Sequence, residues 1–225
     1  MLNNKKNLVY VILAGLFITN AVLGEIIGSK LIQIQGFTLS MGIIPWPFVF
    51  VLTDIINEYF GKDGVRRLTF ISVGMIIYSY FIIFIAMNIP ASNISPVDDH
   101  SFITVFSQSS LIIIGSITAF LISQLLDVTI FHFFKNFTNN RFLWLRATGS
   151  TVFSQLIDTF VVTGIAFWLP GKISFAQYLA ISSNGYLFKL FIAVALTPFI
   201  YLLHFVIKKY LSSGTKEHNF ELKTF

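Results

Sequence analysis

Cysteine is absent from the 225 residues, which excludes disulfides, thiolate metal sites and thiol nucleophiles. Histidine is scarce as well. His100, His132, His204 and His218 lie far apart with no pair at metal-ligand spacing, so neither a metal nor another cofactor is expected. No histidine shares an apolar run with a serine at a matching depth, so no catalytic residues are assigned and the chain does not read as an enzyme. Charge is thin too: 11% of residues carry it, against roughly 25% in a soluble domain. What fills the chain instead is apolar, at 55% of residues and a mean hydropathy of +0.78.

Six stretches are long and apolar enough to cross a bilayer, at about 8–29, 38–60, 68–88, 108–134, 148–169 and 184–207. Each is near the roughly 20 residues that a crossing helix needs. The spacing predicts an all-α membrane protein, a bundle of six transmembrane helices in a single domain over 1–225, with a flexible tail from about 212 to 225. The first run follows Lys5 and Lys6 but is too long for a cleavable signal and lacks a small-x-small site after it. Twelve of the fifteen Lys and Arg, among them Lys62, Arg66, Arg67 and Arg141, fall on one face if both termini are cytoplasmic. Lys30 and Lys172 remain outside, and Lys189 falls inside the last span. The net charge of +5 therefore reflects topology, and nucleic acid is not an expected partner.

Polar residues inside these runs carry the functional signal. Ser123-Gln124-Leu125-Leu126-Asp127 in the fourth span recurs as Ser154-Gln155-Leu156-Ile157-Asp158 in the fifth. A carboxylate at such depth costs about 2.5–3.5 kcal/mol on insertion scales unless it faces a cavity or a partner. Positions i, i+3 and i+4 share a helix face, so each word forms one polar stripe. Because the two spans are antiparallel and closely connected, the stripes are expected to meet across an interior seam. Asp54 and Glu58 form a third stripe on the second span. From the helix rise, Asp54 and Asp127 lie roughly 10 Å from the cytoplasmic side and Asp158 about 15 Å. Glu25 and Lys189 lie about 6–8 Å below the outer surface, close enough in depth to pair.

Gln124, Asp127, Gln155, Asp158, Asp54 and Lys189 are thus the candidate substrate-binding set. Asn20, Glu25, Glu58, Trp144, Arg146 and Asn184 are candidates for secondary contacts or gating. The competing reading makes the serines and glutamines mere packing glue, since such bonds average only ~0.6 kcal/mol in membranes. Lys189 has its own alternative, snorkelling to the interface. Trp144 and Arg146 also fit an ordinary interfacial anchor and a topogenic charge. Pro45-Trp46-Pro47 and Pro198 are expected to kink or open their helices.

Carboxylates and carboxamides inside a helical bundle suit a small polar solute rich in donors, such as a purine-like base, a sugar or an amino acid. A guanine-type edge offers two parallel N–H groups to one carboxylate, and aromatic rings add stacking of about 1–3 kcal/mol per base.

The residues also carry a resemblance. Pro47-Phe48, the run Thr53 to Gly61, Arg66-Arg67, both Ser-Gln-x-x-Asp words, Lys135, Leu143 to Arg146, Ser150-Thr151, Lys189 and Thr197 to Tyr201 occur in an order and spacing that resemble the queuosine precursor transporters, a branch of the vitamin uptake transporter group. The resemblance spans nearly the whole chain. It implies a multi-pass protein of the bacterial inner membrane that imports 7-deazaguanine bases or queuine for salvage into tRNA modification. It also implies a fold like the substrate-binding subunits of energy-coupling-factor transporters. The first span has Ile18 four residues after Ala14 rather than a second small residue, which argues against an ATPase coupling module as a partner. Homodimerisation stays open, and the bilayer and the deazapurine are the expected partners. Alternatives are a coupling-factor subunit for another vitamin, a membrane-embedded enzyme, and an assembly protein whose polar stripes only join helices.

Overall fold

The computed structural model describes residues 5–34, 37–108, 110–139 and 141–221. The chain is a helical bundle. Helix α1 runs Lys5–Ile27, and a short hairpin follows, β1 (Leu31–Ile34) paired antiparallel with β2 (Phe37–Ser40). A single 3-10 turn, Met41–Ile43, leads into α2, Pro45–Met87. Then come α3 (Asp99–Phe106), α4 (Ser110–Phe137) and α5 (Leu143–Thr163), whose end passes into a π-helical turn, Gly164–Trp168. Helices α6 (Phe175–Ala195) and α7 (Thr197–Glu221) complete the bundle.

Five helical stretches, 5–27, 41–87, 99–137, 143–168 and 175–195, are long and apolar enough to cross a membrane. The second holds 47 residues, about 70 Å of helix and more than twice the hydrocarbon thickness. Its interruption is local. Gly61 takes φ +73° and ψ −178°, a conformation that a Cβ makes costly, and so α2 is two helices joined at one glycine. The residues between the expected second and third spans are helical on both sides of that break.

Other boundaries differ from the sequence reading, each for an identifiable reason. The second crossing starts at Pro45 rather than near 38, because the preceding residues pair as a hairpin. Pro45 does not kink α2; it sits in the first turn, where the missing N–H has no helical partner to lose. The last expected span, 184–207, is divided at Leu196 between α6 and α7. Pro198 cannot donate to Val194, so the helical ladder is broken where Pro was expected to act. The tail expected to be flexible from about 212 is helical as far as Glu221, and residues 222–225 lie outside the described residues.

The apolar core lies where α1, α2 and α4 meet, with Phe17, Val49, Ile55, Ile56 and Phe120 fully or almost fully buried. Large apolar side chains such as Phe81, Phe84, Phe191 and Phe205 point outward, as a lipid-facing surface requires. Helices α4 and α5 form the most extensive pair, and their facing sides are polar instead: Ser123, Gln124, Asp127, Ser150, Ser154 and Gln155 are all buried.

Candidate functional site

The two repeated words bind each other. Ser154 Oγ donates to Asp127 Oδ1 at 2.8 Å, and Ser123 Oγ donates to Asp158 Oδ1 at 3.3 Å. The seam expected between the fourth and fifth spans is therefore present. It has two sides. On one, Asp127 and Gln124 are sealed in the wall, with Gln124 Oε1 accepting from Thr53 Oγ1 of α2 at 3.1 Å. On the other, Gln155 and Asp158 face a cavity of about 850 Å³.

That volume falls within the usual range for a small-molecule site. Its wall is mixed. Trp46, Phe50 and Phe167 supply rings, Ser116, Thr148, Thr151, Thr159 and Thr163 supply hydroxyls, and Gln108, Gln155 and Asn184 supply carboxamides. Its titratable groups are Glu25, Asp54, Asp158 and Lys189. Lys189 Nζ meets Asp158 Oδ2 at 2.7 Å, so that pair is internally compensated. Asp54 is 2% exposed, and its Oδ1 has no hydrogen-bond partner among the described residues. Gln155 Nε2 is a donor in the same condition. Both residues line the cavity, although these two atoms are themselves buried in its wall.

Several sequence expectations resolve differently. Gln124 and Asp127 do not line the cavity. Glu25 and Lys189 do not pair: Lys189 reaches Asp158, while Glu25 accepts from Ser116 Oγ at 2.6 Å and Tyr80 OH at 3.4 Å. Lys189 does not snorkel outward either. Glu58 does not line the cavity and joins a separate ionic cluster, bonded to Arg146 at 2.8 Å and Lys135 at 3.1 Å. Trp144 is half exposed beside that cluster and donates its backbone N–H to Tyr201 OH. Asn20 is outside the cavity and returns its amide to Leu16 O. Asn184 does line it.

The sequence reading missed Trp46, which it treated only as part of a proline-rich helix start. Its ring is clasped by glycines. A Cβ on Gly24 would come within 3.0 Å of the indole Cε2 and Nε1, and one on Gly42 within 3.0 Å of Cδ1. Only glycine lets α1 and the 3-10 turn approach the ring so closely. Ser116 was also missed, though a signal existed: it precedes Ser123 by seven residues and so shares its helix face.

Comparison with known proteins places the chain. Residues 40–203 match the family described as "Putative vitamin uptake transporter". The chain belongs to the vitamin uptake transporter family. It is 30% identical over 184 residues to a protein of Bacillus subtilis named "Probable queuosine precursor transporter", covering 76% of this chain and 74% of that one. It is similar to a Haemophilus influenzae protein of the same name, at 30% identity, with 72% and 66% covered. The Escherichia coli "Queuosine precursor transporter" is 27% identical, with 79% of each chain covered. No solved structure matches it significantly. As a member of this family the chain is a multi-pass membrane transporter rather than an enzyme, and the membrane-embedded enzyme weighed from the sequence is set aside.

Proposed function

We propose that this vitamin uptake family member imports queuosine precursors, 7-deazaguanine bases, across the bacterial inner membrane for salvage into tRNA modification. Two crossings formed by the halves of α2, with α1, α4, α5 and α6–α7, make the six spans of this reading and leave both termini cytoplasmic. One observation carries the substrate assignment. Asp54 lines the cavity together with Gln155 and Trp46, and its buried Oδ1 has no hydrogen-bond partner among the described residues. A deazaguanine edge offers it two parallel N–H donors, the bidentate geometry that makes charge-assisted bonds strong. Gln155 Nε2 donates to the ring carbonyl, and Trp46 provides the face on which the bicycle stacks.

The Asp158–Lys189 pair reads the remaining heteroatoms with one acceptor and one donor. Gln124 and Asp127 serve from behind the wall, holding α2 and α5 in register. Glu58 and Arg146, one turn beyond the cavity, act in gating, with Trp144 packed alongside. Carriage without an ATPase module is part of this reading. The relatives' names support the substrate; the cavity's donor and acceptor pattern supports it independently.

The test is accumulation of labelled 7-deazaguanine bases by cells that cannot synthesise them. The intact chain restores accumulation, and Asp54→Asn lowers it about tenfold or more through the lost charge-assisted pair. An intact, correctly inserted chain that accumulates no such base refutes the proposal.

A further inference from the structure

Resting on the proposed function, we propose that Asp127 is a proton-binding site behind the cavity wall, so that each base enters together with one proton. Asp127 does not line the cavity and so does not touch the base. It is nevertheless a fully buried carboxyl group. Its Oδ1 accepts from Ser154 Oγ at 2.8 Å, and its Oδ2 has no hydrogen-bond partner among the described residues.

No lysine or arginine among the described residues forms an ion pair with it. The elements packed around Asp127 bring Asp54 and Glu58 on α2, Arg146 and Asp158 on α5, and His132 and Lys135 on α4 itself, while the π-helical turn brings no charge. Arg146 and Lys135 both bond Glu58, and Lys189 of α6 bonds Asp158. His132 stands about 140° round α4 from Asp127. Glu25 of α1 meets α4 at Ser116, about three turns away. An ionised carboxylate in such a setting is costly, and a proton removes the cost.

The neighbours of Asp127 suit it with and without that proton. Thr53 Oγ1 donates to Gln124 Oε1, and further along the same two helices Glu58 meets Lys135, so α2 and α4 run side by side in one direction. One turn past the Thr53–Gln124 bond, Asn57 and Asp127 therefore stand at matching heights. Both Nδ2 and Oδ1 of Asn57 are buried without a partner, as is Nε2 of Gln124. With Asp127 ionised, these amide N–H groups are donors for Oδ2; with Asp127 protonated, its O–H is a donor for Asn57 Oδ1. An amide with both ends uncommitted serves either state by rotating.

The route to the cavity is short. Ser154 sits next to Gln155 and one turn from Thr151, and both of these line the cavity. Ser154 Oγ–H passes its proton to Asp127 Oδ1 while Oγ takes one from a hydronium ion in the cavity, which leaves as water. The same hop runs in reverse when the cavity opens to the other side, so one relay serves uptake and release. Two neighbouring carboxylates without a cation hold one proton between them; placed on Asp127, it leaves Asp54 charged for the base.

The experiment uses the full-length protein in proteoliposomes, with the membrane potential clamped and labelled 7-deazaguanine as the probe. With the medium one pH unit more acidic than the lumen, the intact protein concentrates the label about tenfold, and a protonophore abolishes the excess. Asp127→Asn still lets the label equilibrate but no longer concentrates it, whereas Asp127→Glu, which keeps the carboxyl group, does concentrate it. A second measurement needs no variant: adding the base to weakly buffered proteoliposomes alkalinises the medium. Equilibration without concentration by the intact protein overturns the coupling and leaves the proposed function standing, as does concentration driven only by a sodium gradient. Concentration retained in Asp127→Asn overturns the assignment to this residue, and loss of all carriage in both variants makes Asp127 structural and overturns it too. No entry of label with the intact protein overturns the proposed function, and the coupling with it.

Discussion

Ser154 of α5 donates to Asp127 of α4 at 2.8 Å, and the reciprocal bond from Ser123 to Asp158 is 3.3 Å long. Serine and aspartate stand four residues apart in each word. When two antiparallel helices carry the same word at the same height, each serine therefore falls opposite the other's aspartate. The repetition is a self-complementary clasp, with one end sealed in the wall and the other opening on the cavity.

The sealed end should behave as one coupled unit. Ser154→Ala and Asp127→Asn each lower the melting temperature in detergent, and the double variant falls short of their sum by about 1 kcal/mol. Strict additivity of the two losses would mean that the bond contributes nothing.

The Asp158–Lys189 pair predicts a different pattern. Its side chains are 18% and 28% exposed, so the cost of breaking it lies below that of a dry pair, at about 1–3 kcal/mol. Lys189→Met leaves Asp158 bare and Asp158→Asn leaves Lys189 bare, while the combined variant is more stable than either. Thermal unfolding of the three proteins decides this; a double variant weaker than both singles contradicts it.

Much of the bundle was legible in the sequence, and the failures share a cause. Counting residues along antiparallel helices made the meeting of the two words readable. Azimuth is harder. Glu25 and Lys189 have matching depths, yet Lys189 turns to Asp158 and Glu25 to Ser116, because the rotation of each helix about its axis is set by packing that no single span reveals. Asp127 and Gln124 failed the same way, landing on the wall side of α4 rather than the cavity side. The role of Trp46 was invisible since it depends on Gly24, a residue of another helix. The division at Leu196 and the break at Gly61 were half legible: Pro198 marked the first, and nothing in the hydropathy marked the second.

Gly24 gives a third prediction. Alanine there meets the indole at 3.0 Å and pushes Trp46 toward the cavity. Gly24→Ala should therefore cut base uptake sharply while destabilising the fold by only about 1–3 kcal/mol. Uptake assays beside a melting curve separate the two effects. Retained uptake would show that the ring's position is immaterial.

Asp98 caps α3 by accepting from the Ser101 N–H and its hydroxyl, at 2.8 and 2.9 Å. The backbone bond, with the hydroxyl bond second, holds this carboxyl below the usual carboxylate range. A folded value below the unfolded one means that the cap's contribution is complete above the ordinary aspartate pKa of about 3.9 and fades as pH falls through the lower, folded value. The Ser101 amide resonance should therefore titrate with a midpoint below that of free aspartate, and lose that transition in Asp98→Asn. A midpoint at or above the free value would exclude the cap.

Glu58 lies one helical turn past Asp54 and is held at once by Arg146 of α5 and Lys135 of α4. Three helices are thereby tied through a single anion at one end of the cavity. Separating that anion from its partners means parting two cations rooted in different helices, so motion at this end of the bundle couples α2, α4 and α5.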